Sequence, residues 1–160
     1  MVVTGETTMS RALRLVRIDF APNGQQPSAL RLILATVVSL AGSLVADALL
    51  AVIGQAVFPS TKQYAHFQFH DYARLTIIGV VIACLAWPVV TRVSSEPRWL
   101  FFRLAIAVTL VLLLPDLYIW HQGQPVKAVG VLMCMHVAIA LVTYNALVRG
   151  APMRQRRGRA

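Results

Sequence analysis

LILATVVSLAGSLVADALLAVIGQAVF, residues 32–58, carries one charge, Asp47, in its whole length. A bilayer's hydrocarbon core is about 30 Å thick and takes about 20 mostly apolar residues at a rise of about 1.5 Å each. This run is long enough to cross. Three more stretches of the same character follow, at residues 75–93, 99–120 and 126–148. A water-soluble chain of 160 residues has no interior large enough to hide four such segments. The sequence therefore predicts an all-α fold, a four-helix transmembrane bundle.

Composition agrees. The chain is 58% hydrophobic and 13% charged, with a mean hydropathy of +0.66, outside the range of ordinary soluble domains. The predicted organisation is a cytoplasmic N-terminal segment over 1–29, a four-span domain over 30–148 and a basic cytoplasmic tail over 149–160. No internal repeat emerges. No signal-peptide pattern follows Arg11, Arg14 and Arg17, so the first span is expected to act as an uncleaved insertion signal. Met1 and Met9 both stand open as the start.

The net charge of +9 does not point to nucleic acid, because the cations flank apolar runs and form no patch with interleaved aromatics. Their distribution is informative. Twelve lysines and arginines fall before span one, between spans two and three, or after span four; three, Lys62, Arg74 and Lys127, fall on the other side. Basic residues near span ends are retained in the cytoplasm, which places both termini there in a multi-pass cell-membrane protein. So unequal a count also argues against a dual-topology transporter.

Residues 10–20 read as a short interfacial helix with Leu13, Val16 and Phe20 toward lipid, although Ile18 blurs the two faces. Pro22, Asn23, Gly24 and Pro27 end it, and Ser28 can cap span one. Thr36, Ser39, Ser43 and Asp47 recur every three or four residues along span one, beside Gly42 and Ala46. Such a seam brings backbones close and supplies interhelical hydrogen bonds. After Pro59, the sequence Ser60-Thr61-Lys62-Gln63 fits a capping box and predicts an outer interfacial helical segment before span two. Tyr64, Phe67, Phe69 and Tyr72 suit an aromatic belt. Pro88 is a candidate kink in span two, and Gly123-Gln124-Pro125 a tight turn into span four.

Ionisable groups inside a membrane cost about 2.5–3.5 kcal/mol each on insertion scales, so each one present asks for a reason. Asp47 lies roughly 24 Å along span one from its cytoplasmic end. Asp116 falls near the outer end of span three and His136 near the middle of span four. One reading joins Asp47, Asp116 and His136 in a polar intramembrane site for a proton, cation or polar ligand, with the histidine exchanging protons near neutral pH. The other makes them hydrogen-bonding glue between helices.

His66 and His70, at i and i+4, would share a helical face as metal ligands do, with Asp71 and His121 near. Such spacing is common by chance. Haem held across the bilayer needs a second deep histidine, which the chain lacks. Cys84 and Cys134 have no C-x-x-C spacing and read as buried small hydrophobes. Arg154, Arg156, Arg157 and Arg159 are expected to meet anionic lipid headgroups or to enforce topology. No nucleophile elbow, phosphate loop or spaced carboxylate pair appears, so no catalytic residue and no cofactor is assigned.

Leu114-Pro115-Asp116, followed by Leu132-Met133-Cys134-Met135-His136-Val137-Ala138, resembles an uncharacterised family of small four-span actinobacterial integral membrane proteins. The resemblance covers the last three spans and implies a fold without an activity. Two functions stand on this reading. The first is an accessory or scaffold subunit of a membrane complex, with the lipid bilayer, a membrane protein or a second copy as partner and no nucleic acid. The second is a transporter or channel for a proton, cation or small amphiphile through Asp47, Asp116 and His136.

Overall fold

A computed structural model describes residues 18, 24–62 and 64–155. Four long helices run through it: α1 (Ala29–Val57), α2 (Phe69–Val93), α3 (Pro97–His121) and α4 (Val126–Gly150). All four are long and apolar enough to cross a membrane. They coincide with the four apolar runs to within a few residues at most ends, because in lipid a segment must satisfy its backbone internally and a helix does so.

The start of α2 differs from expectation. Ser60 does not cap a helix there; residues Pro59–Thr61 and Ala65–Phe67 form two separate 3-10 turns, and Gln63 lies outside the described residues. Pro59 sits at the first position of its turn, where its missing N–H costs nothing, and Thr61 Oγ1 donates to the Phe58 carbonyl at 2.8 Å. Helix α2 then begins six residues before the expected boundary, with Asp71 in its first turn, where a negative charge complements the helix dipole. The expected N-terminal interfacial helix falls almost wholly outside the described residues, as do Arg156, Arg157 and Arg159.

Helix α1 packs chiefly on α4 and then on α2, while α3 leans on α4. Its buried positions are Ala35, Ser39, Ser43, Asp47, Ala51 and Gly54, a stripe of small or polar residues at four-residue spacing for most of its length. Thr36, expected in the stripe, is half-buried beside it and donates to its own helix at Leu32 O (2.9 Å), as Ser39 does to Ala35 O (2.8 Å). The close approach is measurable. A Cβ added at Gly42 would come within 2.9 Å of Val142 Cγ1, and one at Gly54 within 2.8 Å of Val131 Cγ2. Large side chains such as Ile33, Leu49, Ile82 and Leu110 point outward, as they must where the solvent is lipid.

Two apolar clusters hold the ends of the bundle. Trp87, Phe101, Val80 and Leu147 fill the half near the termini, and Trp87 Nε1 donates to the Ala151 carbonyl at 2.9 Å just past α4. Ala51, Phe67, Val131 and Met135 fill the half near the 3-10 turns. Chain ends meet on one face: β1 (Gly24–Gln25) pairs antiparallel with β2 (Arg154–Gln155). Thr91 Oγ1 lies 2.9 Å from Gln26 Oε1, tying the strand's exit to α2.

Candidate functional site

Asp47 is wholly buried, although it sits two-thirds of the way along a lipid-crossing helix. Burial of a carboxyl in such a place requires partners. Thr76, about two turns inside α2, donates its hydroxyl to Asp47 Oδ2 at 2.6 Å. One helical turn below, Ser43 Oγ and Thr143 Oγ1 approach at 3.4 Å and link α1 to α4. The other Asp47 oxygen, Oδ1, is buried with no hydrogen-bond partner.

Asp116, 5% exposed, follows Pro115 in α3. Proline donates no N–H, so the carbonyl one turn back is released from the ladder beside the carboxyl. Across the α3–α4 contact, Asp116 Oδ2 lies 3.1 Å from His136 Nδ1. That same nitrogen lies 3.0 Å from the Leu132 carbonyl of its own helix. One ring proton serves one of the two oxygens well, and Asp116 Oδ2 is left without a properly aligned hydrogen bond. The pair thus has two arrangements. In one, Nδ1–H donates to Leu132 O; in the other, a protonated Asp116 donates to a bare Nδ1.

The third buried oxygen without a partner is the Tyr64 hydroxyl, between the two 3-10 turns. Its ring stands edge-on to His66 and to Phe67, both at 5.3 Å between centroids. Burial, and then the negative charge of Asp116, push this hydroxyl above the ordinary tyrosine value. His136 lies within electrostatic reach of both carboxyls, and His66 within reach of Asp116. The structure thus brings Asp116 of α3 and His136 of α4 into contact, while Asp47 of α1 is bonded to Thr76 of α2 and is reached by His136 through its charge alone.

Thr76 and Tyr64 had no place in the site as read from the sequence. Threonine in an apolar helix carries no signal of its own. A tyrosine expected at headgroup depth reads as part of an aromatic belt; of that set Phe69 is 62% exposed, while Phe67 is buried.

The histidine pair is not brought onto one helical face. His66 sits on a 3-10 turn and His70 on the first turn of α2, where its Nε2 is 3.2 Å from Asp71 Oδ1. Among the described residues, no three His, Cys, Asp or Glu side chains converge as metal ligands. Both cysteines are free thiols, Cys84 buried and Cys134 exposed rather than buried as expected. Two shallow grooves mark the bundle surface. One runs past Leu50, Leu113, Met133, Cys134 and Val137; the other lies between Arg31 and Arg149. Neither is lined by Asp47, Asp116 or His136.

A model of a family of unknown function, DUF6069, matches residues 25–153, which includes all four helices. The chain belongs to that family. The match carries no indication of the source organism and assigns no role to any residue of the centre. No curated protein and no solved structure matches the chain. What the family membership adds is that the matched region is the whole four-helix unit, so the polar centre lies inside the family's own fold.

Proposed function

We propose that this small membrane protein exchanges a proton at its buried centre, as part of a proton-coupled transport step. The observation that carries the reading is the Asp116–His136 pair, in which one ring nitrogen faces two oxygens at 3.0 and 3.1 Å. A packing bridge is satisfied by one proton position. This one has two, and it sits within electrostatic reach of a second buried carboxyl whose Oδ1 has no partner. Of the cargoes considered, a proton needs no cavity, only side chains that can pass it on. That favours it over a small amphiphile, since neither surface groove reaches the centre.

In this reading the ends of the chain face the cytoplasm of a cell membrane, in keeping with the twelve cationic residues on that side. The Tyr64 end then faces outward. A proton arriving there passes the Tyr64 hydroxyl and protonates Asp116; with the ring in its Nε2–H form and Nδ1 bare, Asp116 hands the proton to Nδ1 and the Nε2 proton leaves toward the cytoplasm.

The test uses the full chain in proteoliposomes that enclose a pH-sensitive dye, alongside infrared difference spectra recorded against pH. Wild type should show a titrating carboxylic acid band that Asp116→Asn removes, and proton movement that Asp116→Asn, Asp47→Asn and His136→Gln abolish. Absence of a titrating carboxyl band in wild type overturns the reading.

A second reading, an accessory subunit of a membrane complex, is favoured by one observation. Only 17% of the most apolar window of α3 is buried within the bundle, against 28–33% in the other helices. A helix so little covered by its own chain is suited to a neighbouring transmembrane helix. Purification in mild detergent at native abundance should then bring down a partner in fixed ratio, and crosslinks should fall on α3 positions such as Val108 and Val111.

A further inference from the structure

We infer that the groove between the first turns of α1 and the last turns of α4 is a binding site for one anionic phospholipid. Its occupant is fixed by a polar end and an apolar floor. Arg31 from α1 and Arg149 from α4 stand at the mouth, with Asn145 one turn deeper, and Leu34, Ala35, Val38 and Ala146 line the remainder. The groove encloses about 460 Å³.

Both helices carry the same layout. On α1, Arg31 is followed at three, four and seven residues by Leu34, Ala35 and Val38, which lie on one face. On α4, Asn145 and Ala146 precede Arg149 and Gly150 by one turn. Each guanidinium therefore sits at the membrane edge, with Leu34, Ala35 and Val38 one to two turns inside on α1 and Asn145 and Ala146 one turn inside on α4. The groove is shallow at its base because Gly150 meets Ala35, where an added Cβ would stand 3.2 Å from the Ala35 Cβ.

Charge decides the headgroup. Arginine presents a planar fork of N–H donors matched to two phosphate oxygens, and two such forks flank one opening. None of the described acidic residues lines the groove, and neither arginine has an ion-pair partner among the described residues. Apart from Asn145 the remaining lining is apolar, which a free phosphate leaves uncovered and an acyl chain covers. The site is separate from the Asp116–His136 centre, neither residue of which lines it.

The test is native mass spectrometry of the full chain in mild detergent, offered phosphatidylglycerol or phosphatidylcholine with identical acyl chains. Wild type should retain phosphatidylglycerol in preference. The double variant Arg31→Gln/Arg149→Gln should lower that retention by about tenfold or more. Val38→Trp, at a position 58% exposed and so outside the helix packing, should fill the groove and lower it as well. Arg103→Gln should leave retention unchanged, because that guanidinium stacks 4.1 Å over the Trp99 ring and is absent from the groove. Equal retention of the two lipids, an equal loss in Arg103→Gln, or displacement of the lipid by inorganic phosphate with no effect of Val38→Trp would each overturn the inference.

Discussion

A single hydroxyl keeps Asp47 tolerable. The Thr76 donor at 2.6 Å is the one hydrogen bond its side chain receives among the described residues, so removing it leaves a carboxyl without any. Thr76→Val keeps the side chain's shape and takes away the donor. It should destabilise the bundle by about 1–3 kcal/mol, the usual cost of orphaning a buried polar group, read from unfolding in detergent micelles. Asp47→Asn/Thr76→Val should lose less than the single change, since a neutral amide is cheaper to bury. Tyr64 gives a second residue-scale outcome. Its hydroxyl is pushed above 10.0 by burial first and by Asp116 second. The folded state therefore favours the protonated phenol. That contribution to stability is present below the unfolded value and is lost as pH climbs through the raised folded value. Ultraviolet titration of wild type against Tyr64→Phe should show one phenol ionising above the others, and Asp116→Asn should bring it partway down.

Helix α1 is the element on which the rest depends. Its stripe admits α4 so closely that a larger residue at Gly42 or Gly54 has nowhere to go without moving Val142 or Val131. Gly54→Leu should cost about 1–3 kcal/mol by overpacking and lower the midpoint of thermal unfolding in detergent, with Val131→Ala partly restoring it. The α3–α4 turn offers a different failure. Gly123 adopts a φ of 85°, the left-handed region that side chains with a Cβ enter at a cost of about 1–2 kcal/mol. Nothing surrounds that position within 4 Å, so Gly123→Ala should lose stability through backbone conformation alone. Ser39, Ser43 and Asp47 were legible in the sequence as a seam because helical spacing is a one-dimensional signal. Gly54 was not, because its importance lies in a contact with Val131, 77 positions away in the chain. The start of α2 was missed for a related reason: the string Ser60 to Gln63 fits a cap, yet Pro59 turns the chain into a 3-10 turn before a helix can propagate.

At the scale of the whole molecule, four apolar runs fix four crossings and place both ends on one face. The cation count then supplies the expectation of which face that is. Single cysteines at positions 25 and 155, in a background lacking Cys84 and Cys134, should both resist an impermeant thiol reagent applied to intact cells and both react after permeabilisation. A cysteine at position 62, between the first two helices, should behave the opposite way. The sequence suggested that Asp47, Asp116 and His136 lie at related depths, since depth along each span follows from counting residues. That Asp116 meets His136 and that Asp47 meets Thr76 depends on how the helices rotate about their axes, which hydropathy leaves undetermined. The exposed face of α3 and the arginine-lined groove are likewise properties of the assembled bundle.

The β1–β2 pairing brings residues 24–25 and 154–155 into register at one end of the bundle. Two proteins fused at positions 24 and 155 of one copy would be held as near neighbours. Complementary halves of a split fluorescent reporter should accordingly join within a single polypeptide, with a yield independent of expression level. Threading a new connection from position 155 to position 24 and opening the chain at the Gly123 turn should give a rearranged gene whose product assembles the same four helices.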